Sequence, residues 1–172
     1  MPIGSQRLLG AFLLLGVVAL SFGCGGGGSS NSGPSADAPV ISDLIVRALD
    51  PERANTTIRY AVQVTTFDPQ ADVFNGTCEI ALPGVPGSPL SIPINSAAPG
   101  INVNATTNPV TCVFTVRTAV PAQLSGSVTI IDRAGHRSNS LSFLLGISER
   151  RVGPDASGGA LSVEPGSARL GR

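Results

Sequence analysis

The chain has one histidine, His136, in the stretch Asp132-Arg-Ala-Gly-His-Arg-Ser-Asn139. Acid, imidazole and hydroxyl are the parts of a nucleophilic triad, in which histidine takes the serine proton and the acid orients the ring. A working triad also needs a rigid scaffold and an oxyanion hole, which consecutive residues of a polar turn do not supply. There is no lysine to act as another base. The expectation is a solvated turn histidine, no catalytic residue and a protein that is not an enzyme. Five acids, Asp50, Glu52, Asp68, Asp72 and Asp132, fall where strands are expected to end. Calcium gathers oxygens from loops, so Asp68, Asp72 and Asp132 are the candidate metal ligands. No Asp-x-Asp-x-Asp run is present, and aspartate opens turns simply by bonding the local backbone. The expectation is therefore no metal and no cofactor, with a calcium- or carbohydrate-binding module as the alternative function. For carbohydrate, aromatic faces are needed. The chain has no Trp and one Tyr. Tyr60 is expected to point inward, which leaves Phe67 and Phe74, flanking the Asp68–Asp72 loop, either as a platform or as the closure of the core.

The three cysteines divide into one and two. Residues 8–20 (LLGAFLLLGVVAL) form an unbroken apolar run after Arg7. Thirteen residues make a helix of about 20 Å, short of the ~30 Å hydrocarbon core. A charged start, a short apolar run and small residues behind it describe a secretory signal peptide over residues 1–23. The run is followed by Ser21-Phe-Gly-Cys24 and then by GGGGSS. This junction resembles that of bacterial lipoproteins, whose signal ends in a small residue before the cysteine that receives the lipid. Ser21 stands where that family usually has Leu, and Leu20 lies one position further back. The resemblance implies lipidation of Cys24 with a diacylglyceryl group, and two acyl chains suffice for stable membrane anchoring. Gly25 is unlike the Asp that retains many such proteins at the inner membrane, so the cell envelope, with the outer membrane favoured, is the implied location. In an oxidising compartment an odd cysteine needs an explanation. If Cys78 and Cys112 pair, lipidation accounts for Cys24.

The elements that would hold these residues are strands. Residues 24–38, the lipidated cysteine with its Gly/Ser linker, contain nothing to bury, and residues 148–172 return to Gly, Ser, Pro and scattered charge, which reads as a disordered tail. Between them, residues 39–147 alternate with a period of two. In Thr57–Thr65, Ile58, Tyr60, Val62 and Val64 share one face, the mark of a half-buried strand. Leu44–Ala48, Thr77–Leu82, Leu90–Ile94, Ile101–Val103, Thr111–Arg117, Ser127–Ile131 and Leu141–Leu145 read the same way. Asp50-Pro51, Asn75-Gly76, Pro83–Pro89 and Ala134-Gly135 supply the turns. Cys78 shares the parity of Ile80 and Leu82, and Cys112 that of Phe114 and Val116, so both point into the core. Eleven basic residues, all Arg, face eleven acids. No basic field exists to recruit nucleic acid.

Seven to eight short strands in this length suggest a β-sandwich. The segments PVISDLIV, VQVTTFDPQADV and VTIIDRAGHRSNSLSF resemble the immunoglobulin-like domains of bacterial surface lipoproteins. In those domains the middle segment often carries a glycine that Asp68-Pro-Gln-Ala-Asp72 lacks. The resemblance implies an immunoglobulin-like antiparallel β-sandwich of 7–8 strands in a non-catalytic, lipid-anchored envelope module. Its role would be surface display, spacing or protein binding, with the membrane and an envelope protein as partners and the oligomeric state open.

Overall fold

The computed structural model describes residues 35–49, 57–118, 122–147 and 160–171. The segment expected to be a signal peptide (1–23), Cys24 and most of the expected linker lie outside the described residues. Eight strands are present: β1 (Val40–Ala48), β2 (Thr57–Phe67), β3 (Thr77–Ala81), β4 (Leu90–Ala97), β5 (Thr107–Arg117), β6 (Ala122–Ile131), β7 (Leu141–Ile147) and β8 (Ser162–Leu170). No helix occurs among the described residues. The all-β expectation holds.

The strands form one sheet in the order β1-β2-β5-β8-β4-β3-β6-β7. Every pairing is antiparallel except β4 with β8, which run parallel, so the sheet is mixed where an antiparallel one is expected, because β8 enters from the segment that reads as a tail. The sheet curls until its two ends nearly meet. There the Asn139 side chain accepts from the Ile41 amide (2.8 Å) and donates to the Ile41 carbonyl (3.0 Å), standing in for a strand pairing between β1 and β7. A sheet edge left open is a template for unwanted pairing, and a near-closed barrel removes most of that exposure.

The period of two is what fills the barrel. β2 and β5 pair without a slip from Thr57↔Arg117 to Phe67↔Thr107. Their inward residues Ile58, Tyr60, Val62, Val64, Val110, Cys112, Phe114 and Val116 are all buried. Tyr60 and Phe114 are direct partners with ring centroids 6.0 Å apart. The Tyr60 hydroxyl donates to the Gly146 carbonyl at 3.3 Å, which ties β2 to β7 through the interior and satisfies a buried polar tip. Cys78 on β3 and Cys112 on β5 stand in disulfide contact with Cα atoms 6.5 Å apart, both fully buried. The parity argument thus placed both correctly.

Residues 148–172 need correction. Residues 148–159 lie outside the described residues, but Ser162–Leu170 is a strand in the middle of the sheet, between β5 and β4. Val163, Ala168 and Leu170 are buried in the common core. The Pro165-Gly166 pair that reads as a breaker sits at a register shift against β5. A Cβ on Gly166 would lie 2.5 Å from the Val113 carbonyl oxygen, so only glycine lets the two backbones approach this closely. The segment Ile101–Val103 is not a strand either. It lies in the β4–β5 loop, where the Ile101 amide bonds the Ala98 carbonyl and the Asn102 side chain accepts from the Asn104 amide. Asparagine has captured the backbone locally, in competition with a ladder.

Candidate functional site

Two strand ends and two turns meet at one pole. Asp68 follows directly on β2, and its carboxylate accepts from the amides of Gln70 (3.2 Å) and Asp72 (2.6 Å). That self-capture bends the loop and sets Asp72 beside it, with Ala71 at φ 55°. Asp132 follows directly on β6. Its carboxylate accepts from the His136 amide (2.8 Å) and meets the His136 ring Nδ1 at 2.9 Å. The Arg133 amide donates to the Asp72 carbonyl at 3.1 Å and joins the two turns. One carboxylate oxygen from each of Asp68, Asp72 and Asp132 lies within 4.8 Å of the others. The three sequence candidates for a metal are therefore brought together.

Their electrostatics differ. Asp72 Oδ1 is buried and has no hydrogen-bond partner. The Asp72 carboxyl is pushed above its ordinary value of 3.8. Burial is the main cause, followed by the Asp132 and Asp68 carboxylates and by the bond that a protonated Asp72 makes to Asp68; the Arg133 charge opposes the shift. A carboxyl whose pKa is raised on folding stabilises the protein below its unfolded value, and that contribution is lost as pH rises through the raised one. The charged form of Asp72 is thus a local liability. With a chelator present, Asp72→Asn is expected to raise the melting temperature at pH 7. The advantage should shrink as the pH is lowered, because the raised pKa lets the folded wild-type carboxyl take up its proton before an unfolded one does. Melting curves of both proteins from pH 7 downward check this, and a variant less stable at pH 7 would contradict it.

Gly76 holds the two turns in contact. A Cβ there would lie 2.3 Å from the Ile131 carbonyl oxygen and 2.9 Å from that of Val73, both backbone atoms that cannot swing aside. Gly76→Ala is expected to cost at least the ~1–3 kcal/mol typical of overpacking, read as a lower urea midpoint. An unchanged midpoint would mean that the turns are not this close.

The triad parts do not assemble. Asp132 and His136 pair, but the Ser138 hydroxyl accepts from the Ile130 amide (2.9 Å) and donates to the Asn139 carbonyl (2.6 Å). The two phenylalanines separate. Phe67 faces Val40 across the ladder, and both are exposed. Phe74 is half-buried against the core and lines a cavity of about 460 Å³ with Gln70, Asp72, Asn75, Asn104 and Arg133. The sequence reading missed Asn75, Asn104 and Arg133 as site residues. Their signal was present as the Asn75-Gly76 turn and the Asn-rich β4–β5 loop, but which turns share a pole depends on strand order. A larger open groove of about 590 Å³ runs beside Gly126, Phe143 and Leu144. It contains no titratable group. No family model, curated protein or solved structure matches the chain.

Proposed function

We propose that the protein is a non-catalytic module of the cell envelope, anchored through a lipid on Cys24 and presenting its β-domain for display, spacing or protein binding. The observation that carries this reading is the division of the cysteines. Cys78 and Cys112 are engaged with each other inside the core. Cys24 is left at the junction between the apolar run and the glycines, where a lipoprotein is modified. An unlipidated thiol in an oxidising compartment would be open to unwanted pairing. The immunoglobulin-like reading is supported by the all-β strand content and by a buried cysteine pair that links the β1-β2-β5-β8 half of the sheet to the β4-β3-β6-β7 half. The non-catalytic reading is supported by the Ser138 hydroxyl, which is committed to the Ile130 amide and the Asn139 carbonyl. Gly25 supports an outer-membrane destination. Fractionation of the native host tests the anchor. The wild-type protein is expected in the membrane fraction and in the detergent phase after phase separation, and Cys24→Ser in the soluble fraction. A Cys24→Ser protein that remained with the membrane would remove this reading.

A specific observation also favours a second reading, a calcium-binding module. Three carboxylates converge, and one buried oxygen of Asp72 has no partner. A hard dication would supply the missing partner and relieve the repulsion, with carboxylates giving part of a shell of six to eight oxygens. Ligand binding to the folded state alone adds about 2.7 kcal/mol at a hundredfold excess over Kd. Calcium is expected to raise the melting temperature of the wild-type protein and to leave Asp72→Asn and Asp132→Asn unmoved. An equal response from all three would exclude the cluster as the site.

A further inference from the structure

The cavity beside Asp72 has features that a cation does not use. We propose that it is a binding site for a neutral saccharide, a single pyranose or the terminal ring of a longer glycan. Its volume, about 460 Å³, falls within the range of small-molecule sites and above what an ion needs. Its polar lining is mixed in sign and in hydrogen-bonding type. Asn75 and Asn104 each offer an amide with two donors and an acceptor, Arg133 offers only donors, and Asp72 only acceptors. Sugar hydroxyls donate and accept at once, so a ring bearing several of them can use every one of these groups. An anionic ligand would meet the Asp72 carboxylate in the wall, with those of Asp68 and Asp132 clustered beside it. A cationic organic ligand would meet Arg133. A neutral polyol meets neither repulsion. Phe74 gives the wall its aromatic element, the type of surface that accommodates the C–H face of a pyranose.

The walls are tied before any ligand arrives. The Asp68 carboxylate holds the amides of Gln70 and Asp72. The Arg133 amide holds the Asp72 carbonyl. The buried Asn108 side chain donates to the carbonyls of Asn102 and Ala105, on either side of Asn104. The Asp68 amide also donates to the Thr106 carbonyl at 2.7 Å, so three loops from three parts of the chain are tied around one cavity, and a preformed site avoids the ordering cost that weakens binding by mobile loops. This goes beyond the calcium reading and does not require it.

The test is a titration of the ¹⁵N-labelled mature chain, followed by NMR, with glucose, galactose, mannose and N-acetylglucosamine, first in chelator and then in calcium. At least one sugar is expected to give saturable shifts concentrated at the amides of Gln70–Asn75, Asn104 and Arg133. Asn104→Ala should weaken that sugar about tenfold while melting at the wild-type temperature; Arg133→Ala should weaken it likewise, with a lower melting temperature at pH 7 because the charge that opposes the Asp72 shift is gone. Shifts seen only with calcium also support the proposal, with the cation as a bridge. Calcium shifts without sugar shifts in either buffer would leave the calcium reading standing and overturn this one. Sugar shifts that map elsewhere on the domain would overturn it too.

Discussion

Leu170→Ala is expected to lower the free energy of unfolding by about 2–5 kcal/mol. Leu170 is fully buried near the end of β8 and belongs to the common core. Its strand is paired on both sides: Leu170 lies opposite Val110 of β5 and Ala97 of β4. The Leu170 carbonyl also accepts from the Ala98 amide, and the Gly171 amide donates to the Pro109 carbonyl, so the backbone cannot easily shift to refill a cavity. An unstructured segment would behave differently, since substitutions at surface sites usually stay within about 0.5 kcal/mol. Urea unfolding of the variant at unchanged slope separates the two cases. A midpoint equal to wild type would mean that β8 is not part of the folded domain.

Replacing both Cys78 and Cys112 by Ala is expected to cost about 3–4 kcal/mol. The pair closes a loop spanning 34 positions, and the chain-entropy model assigns roughly that loss to releasing such a loop in the unfolded state. Both residues are fully buried, so the lost sulfurs add a small cavity to the entropic effect. Against a usual net stability of about 5–15 kcal/mol this is a large share. Denaturation of the oxidised wild-type protein beside the double variant provides the measurement. Equal midpoints would mean that the bond does not form in the folded protein.

Much of the fold was legible because alternation is a local signal. Ile58, Tyr60, Val62 and Val64 announce β2, and the parity of Cys78 and Cys112 predicts their meeting. The failures come where a local signal and the tertiary structure disagree. Pro165 and Gly166 look like breakers, yet the close approach to Val113 requires Gly166, and three apolar residues spaced along β8 suffice once β5 and β4 flank it. Ile101 and Val103 alternate like a strand, yet Asn102 turns the backbone on itself. β1 begins at Val40, before its clearest alternation, because Asp43 at φ 52° sits in a register shift that no pattern of apolar residues reveals. The pole was half legible. Asp68 and Asp132 were named as turn residues at strand ends, which they are. That β2 and β6 end at the same pole follows only from the curled sheet, and the cavity residues Asn75, Asn104 and Arg133 follow only from that meeting.

The central claim, an anchored and disulfide-stapled envelope module, is tested most directly by the intact mass of the mature protein purified from its native host without reduction. The account predicts a chain that starts at Cys24, heavier by a diacylglyceryl group and lighter by the hydrogens lost in the Cys78–Cys112 bond. A chain with unmodified Cys24, or one that retains residues 1–23, would contradict it.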